Sequence, residues 1–208
     1  WEVYPGKCLP LTFTPEHLVE LNLGNSKLEK LWQGTQPLTN LKKMDLSGSL
    51  SLKEVPDLSN ATNLKKLHLT GCWSLVEIPS SVGDLHKLEE LEMNLCISLQ
   101  VIPAHLNLAS LESLQMSGCW QMRKIPDIST NIKTLVIGDT MLEEFPESMV
   151  SPSESQYIRQ SHFSSDFGTI ASISELSSYD REDTRLHQRS SRVKVSIHSW
   201  MSKACFTA

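Results

Sequence analysis

One pattern, L-x-x-L-x-L, returns six times along this chain and constrains its fold more than any other feature of the sequence. The copies are Leu18, Leu21, Leu23; Leu41, Met44, Leu46; Leu64, Leu67, Leu69; Leu88, Leu91, Met93; Leu111, Leu114, Met116; and Ile132, Leu135, Ile137. Their starts lie 23, 23, 24, 23 and 21 residues apart. A second apolar pair follows each copy in phase: Leu28 and Leu31, Leu52 and Val55, Leu75 and Ile78, Leu99 and Ile102, Met122 and Ile125, Leu142 and Phe145. Prolines 56, 79, 103, 126 and 146 close these pairs, where a fixed φ and a missing N–H suit a turn. In the first copy Trp32 takes that place, which reads as a bulky surface substitute.

No copy can bury its own apolar face, so stability must come from stacking coil on coil. The expected architecture is an α/β solenoid of the leucine-rich-repeat kind. It is an arc with a parallel β-sheet on the concave face, an irregular, 3₁₀ or short helical convex side, and a poorly ordered C-terminal tail. The array is expected over 1–150, as a partial repeat at 1–17 followed by repeats starting near 18, 41, 64, 88, 111 and 132. Trp1 falls 22 residues before Leu23, and Cys8, Leu9 and Pro10 match a coil ending, so the chain is expected to open inside a repeat, as a fragment or truncated product. Residues 151–208 lose the lattice and hold 15 serines in 58 positions, and low order is expected there. Weak patterns for a helix at 170–176 and a strand at 193–197, and a loose basic stretch from Arg181 to Lys194, fall in this tail.

Within a strand whose leucines point inward, the alternate residues point outward, and stacking sets equivalent positions side by side. Two outward rows follow: Glu20, Lys43, Lys66, Glu90, Ser113, Thr134, and Asn22, Asp45, His68, Glu92, Gln115, Val136. The candidate protein-binding residues are Glu20, Asn22, Lys43, Asp45, Lys66, His68, Glu90, Glu92, Ser113 and Gln115. They make a face basic near Lys43 and Lys66, acidic near Glu90 and Glu92 and neutral beyond. The alternative is that any soluble array carries polar residues there. Trp73 and Trp120 suit contact anchors, but packing against neighbouring coils is the expectation for them.

A net charge of −5 argues against a phosphate-binding surface, and no apolar run approaches a bilayer span, so neither nucleic acid nor membrane is expected as a partner. Cys72, Cys96 and Cys119 recur at repeat spacing, where the pattern allows Asn or Cys, and read as structural rather than metal-binding. With Cys8 and Cys205 the cysteines are odd in number, which suits a reducing compartment. The seven histidines show no H-x-x-x-H or paired Cys/His spacing, and phosphate loops, nucleophile elbows and dinucleotide fingerprints are absent from the sequence. Neither catalytic residues nor a metal or cofactor is expected in this chain. Asn60-Ala61-Thr62 is a glycosylation sequon that matters only in a secreted protein.

The wording inside the repeats is more specific than the lattice. Trp1-Glu2-Val3-Tyr4-Pro5-Gly6-Lys7, Leu18-Val19-Glu20-Leu21-Asn22-Leu23, Lys27-Leu28-Glu29-Lys30-Leu31-Trp32, Pro56-Asp57-Leu58-Ser59-Asn60-Ala61-Thr62-Asn63-Leu64 and Pro126-Asp127-Ile128-Ser129-Thr130-Asn131-Ile132 stand in order. The chain over about 1–150 resembles plant TIR-type nucleotide-binding leucine-rich-repeat disease-resistance proteins. That resemblance implies the recognition and autoinhibition region of an immune receptor in the cytoplasm, with the nucleus as a second location. Its partners would be a pathogen effector, a guarded host protein or the receptor's own upstream domains. NAD cleavage and nucleotide hydrolysis would belong to those upstream domains. The rival readings are a truncated stand-alone scaffold or decoy, and an extracellular receptor repeat domain.

Overall fold

The computed structural model describes residues 3–103, 109–125 and 132–143. Among the described residues the elements are six three-residue strands: β1 Glu20–Asn22, β2 Lys43–Asp45, β3 Lys66–His68, β4 Glu90–Glu92, β5 Ser113–Gln115 and β6 Thr134–Val136. One 3₁₀ helix, Ser80–Asp84, lies between β3 and β4. All six strands form one parallel sheet in sequence order. Each is centred on the second leucine position of its L-x-x-L-x-L copy, where the spacing of the apolar residues becomes alternation. The register runs Leu21, Met44, Leu67, Leu91, Leu114, Leu135, one residue per coil. The period therefore converts directly into lateral neighbours about 4.8 Å apart.

The core is a column of leucines stacked along the array. Leu23, Leu46 and Leu69, Leu28, Leu52 and Leu75, and Leu41, Leu64 and Leu88 are all completely buried. A fully buried leucine contributes about 1.5–3 kcal/mol relative to exposure, and most of that depends on the coil before or after it. Phase is kept beyond the strands, since Glu54, Glu77 and Val101 form successive parallel bridges. Residues 3–9 pack as the return side of an earlier coil. Leu9 is buried and donates its N–H to the Leu31 carbonyl at 2.8 Å, and Lys27 donates to Tyr4 at 3.0 Å.

A column of small polar groups ties the coils together beneath the sheet. The thiols of Cys72, Cys96 and Cys119 donate to the carbonyls of Leu46, Leu69 and Met93 at 3.3, 3.1 and 3.1 Å. Ser49 occupies the same place, donating to Leu23 at 3.2 Å, with its oxygen 2.9 Å from that of Ser26. Each such side chain reaches the carbonyl just past the strand of the coil before it; those of Leu46, Leu69 and Met93 also accept a backbone N–H from their own coil, so the thiol fills the second lone pair and links neighbouring coils. Burial pushes the Cys96 thiol up to about 12 and the other two higher still. These cysteines are therefore structural donors, as their spacing suggested.

Trp32 departs from expectation. Its ring is half-buried and stacks on Phe13 with centroids 5.9 Å apart and planes 17° from parallel. Phe13 belongs to the coil before it, so the tryptophan packs on apolar surface of that coil instead of standing free. Pro126, Phe145, Pro146 and the whole of 151–208, including the helix, strand and basic patterns noted there, lie outside the described residues.

Candidate functional site

Twelve residues flank the buried centres of the six strands, and their side chains stand on the outer face of the sheet in two rows. Glu20, Lys43, Lys66, Glu90, Ser113 and Thr134 pair laterally as one row. Asn22, Asp45, His68, Glu92, Gln115 and Val136 form the other. The ten candidate residues thus share one surface. Every strand centre beneath them is at least nine-tenths buried, so changes in these rows leave the core untouched.

The charges on this face are not independent. Lys66 Nζ lies 2.6 Å from Glu90 Oε2, so the lysine expected to extend a basic patch is neutralised by its neighbour on β4. That hydrogen bond, with the Glu90 charge, holds the Lys66 ammonium above its ordinary value. Burial alone would raise Glu90, but the hydrogen bonds with Lys66 and Glu92 and the charges of Lys66 and His68 outweigh it and keep Glu90 low. Glu92 is raised, first by burial and then by its hydrogen bond with Glu90. His68 stands between acids, with Nδ1 3.7 Å from Asp45 Oδ2 and Nε2 3.5 Å from Glu90 Oε1. Gln115 donates to Glu92 Oε1 at 3.2 Å and accepts from Asn94 at 3.1 Å. The middle of the face is therefore a connected polar network over β2 to β5, flanked by Glu20, Asn22 and Lys43 on one side and by Thr134 and Val136 on the other.

Past the C-terminal end of each strand the chain presents a further repeating set of positions that sequence reasoning did not single out. Two residues past each strand's last inward side chain, the backbone turns left-handed: Asn25, Gly48, Gly71, Leu95, Gly118 and Asp139 have φ between 48° and 76°. Glycine meets this demand in three coils, while Leu95 meets it against its own side chain, a strain of about 1–2 kcal/mol. Two positions further on stand Leu50, Trp73, Ile97, Trp120 and Met141, exposed by 48, 46, 37, 63 and 51%. Their spacing of 23, 24, 23 and 21 residues is that of the strands, so they line up as one apolar row. Trp73 and Trp120 are thus not packed away between coils as expected. The residues that precede them, Cys72 and Cys119, already fill the inward position, and the chain leaves the next side chain outside.

A family model described as Leucine Rich Repeat matches residues 17–36, which span β1 and the turn after it. Among curated proteins, the Disease resistance protein RML1B of Arabidopsis thaliana is 62% identical over 89 residues, 43% of this chain and 9% of that protein. RML1A of the same plant is 55% identical over 149 residues, 72% of this chain and 15% of the relative. RPS6, also of Arabidopsis, is 54% identical over 66% of this chain and 12% of its own length. The chain therefore spans no more than about a seventh of these relatives. A solved leucine-rich-repeat protein of Leptospira interrogans overlaps 68% of this chain and 48% of its own, at 18% identity and a TM-score of 0.35, a loose likeness.

Proposed function

The chain is a leucine-rich-repeat array homologous to part of the plant TIR-type nucleotide-binding leucine-rich-repeat disease resistance proteins, and from that premise we propose that its sheet face and bordering apolar row form a protein-recognition surface. The observation that carries the reading is the exposed row of Leu50, Trp73, Ile97, Trp120 and Met141, one large apolar side chain per coil in phase with the polar rows of the strands. Five large apolar side chains in successive coils cost solubility, and contiguous apolar surface with a polar border marks protein contact sites. Tryptophan supplies large area at low entropic cost and is enriched among the residues that dominate binding energy. Asn22, Asp45, Gln115 and their row neighbours would then set register and specificity, and Trp73 and Trp120 affinity.

The partner class is protein: a pathogen effector, a guarded host protein or the upstream domains of the same receptor. Contact with the last of these would hold the receptor inactive, and an effector would release it only by binding one receptor state better than the other. The cytoplasm, with the nucleus second, is the compartment of this reading. No reaction is assigned to these residues; catalysis would lie in other parts of a receptor.

The test is a full-length receptor carrying Trp73→Ser and Trp120→Ser, compared with one carrying Lys53→Ser and Thr62→Ser on exposed positions off the sheet face. Defence output in plant tissue is expected to change with the first pair, through lost activation or lost restraint, and to stay at wild-type level with the second. Equal behaviour of the two pairs at equal protein levels would remove the surface from recognition.

A further inference from the structure

We propose that His68, Glu90 and Glu92 form a binding site for one divalent transition-metal cation of the class that accepts mixed imidazole and carboxylate ligands, with Zn²⁺ as the representative. The three side chains come from adjacent strands, β3 and β4, and each offers one ligand atom, all within 4.8 Å of one another. His68 carries the argument beyond a cluster of acids. Its side chain is 14% exposed, and its Nε2 is shielded from solvent and makes no hydrogen bond, although it faces Glu90 Oε1 at 3.5 Å. A shielded nitrogen that makes no hydrogen bond is an unmet polar group, and a bound cation would satisfy it.

The geometry is close to what such an ion requires. Ligand atoms about 2.0–2.1 Å from a tetrahedral centre stand about 3.3 Å from each other. The His68–Glu90 edge, at 3.5 Å, is close to that length, and the other edges, within 4.8 Å, would close by at most about 1.5 Å through side-chain rotation. Neighbouring groups hold the ligands in orientation. Lys66 occupies Oε2 of Glu90 and so directs Oε1 toward the histidine. Asp45 faces the opposite ring nitrogen of His68, the place from which an outer carboxylate fixes the tautomer of a metal-binding imidazole. Gln115, braced by Asn94, fixes Glu92. One nitrogen and two oxygens suit Zn²⁺ and its first-row neighbours, whereas Mg²⁺ and Ca²⁺ take six or more oxygens. Cross-strand grouping explains why spacing along the chain gave no metal signal: His68 and Glu92 are 24 residues apart and meet only through the register.

The site is tested on the full 208-residue chain by calorimetric titration with Zn²⁺, by the d–d spectrum of the Co²⁺-loaded chain, and with Cys8→Ser, His68→Ala and Glu92→Gln variants. The expected result is binding that Cys8→Ser leaves unchanged and that His68→Ala and Glu92→Gln each weaken by about 100-fold, with no competition from millimolar Mg²⁺. The Co²⁺ spectrum should lack a thiolate charge-transfer band. Cys8 is exposed, His68 and Glu92 stand half-buried on the outer face of the sheet, apart from the leucine core, and circular dichroism melts will show that the variants remain folded. Wild-type affinity in both His68→Ala and Glu92→Gln, a thiolate band, or no Zn²⁺ binding by the wild-type chain would overturn the proposal.

Discussion

The inside of the array and its sheet face obey opposite rules. Inside, the same position is filled by the same kind of side chain in coil after coil: Leu21, Met44, Leu67, Leu91, Leu114 and Leu135 differ by little more than a sulfur. Outside, no two strands repeat a pair, running from Glu20 and Asn22 through Lys66 and His68 to Thr134 and Val136. Identical packing is needed because each coil is both floor and ceiling to its neighbours. Outward positions have no such obligation, so their variety is free to encode recognition. The lesson is that stability and specificity are separated by one residue along the strand, and substitutions one position apart should differ by an order of magnitude in their effect.

The largest break in that comparison is Leu67→Asp, which places an unpaired charge at a fully buried strand centre between Met44 and Leu91. It is expected to lower stability by more than about 4 kcal/mol, read by chemical denaturation as a large downward shift of the unfolding midpoint. A thermal or denaturant profile equal to wild type would mean that the register is wrong. Thiol chemistry separates the regions next. Cys8 is exposed and Cys72, Cys96 and Cys119 are buried with raised thiol pKa values. At pH 8 iodoacetamide should modify Cys8 in the native chain, while the three buried thiols react on the order of a thousandfold more slowly and become equal to it in denaturant. Peptide mass mapping follows each site separately, and prompt labelling of Cys96 would show that the coils do not close over that column.

Smaller effects sharpen the boundary between the two regions. Leu95 holds the left-handed turn that Asn25 and Asp139 hold in other coils. Leu95→Asn is therefore expected to stabilise the array by about 0.5–1 kcal/mol, a rise in Tm measurable by calorimetry. Gly71→Ala should cost about 1 kcal/mol through backbone strain alone, since the added Cβ would meet nothing nearer than the Gly48 backbone at 3.7 Å. The smallest effect belongs to the face itself: Lys43→Glu should change stability by no more than about 0.5 kcal/mol. A loss of several kcal/mol there would show that the outer rows carry structure as well as chemistry.

Much of this was legible in the sequence because a strict period fixes both the strand and its neighbours. The six strands and the two outward rows follow from the leucines alone, and so does the pairing of Lys66 with Glu90 as lateral neighbours. What the period could not give was anything that depends on where a side chain turns after leaving the backbone. It placed Lys66 on a basic patch, whereas rotation toward Glu90 neutralises it. It could not tell that Cys72 turns inward to the Leu46 carbonyl and so leaves Trp73 outside. A recurring signal did exist for the left-handed turns, since Gly48, Gly71 and Gly118 share one phase, and reading that column would also have flagged Leu95. The His68, Glu90 and Glu92 grouping needed both register and rotamer.

The central claim is that recognition resides on the sheet face and its apolar border and not on the rest of the coil. It is tested most directly by placing a photo-crosslinking amino acid in the full-length receptor, one position at a time, at Asn22, Gln115 and Trp120 and at the exposed back positions Lys53, Thr62 and Lys87, and irradiating plant tissue. The account predicts crosslinks to a discrete protein or to the receptor's own upstream domains from the first three positions and none from the last three. Crosslinks from the back positions, with the sheet face silent, would contradict it.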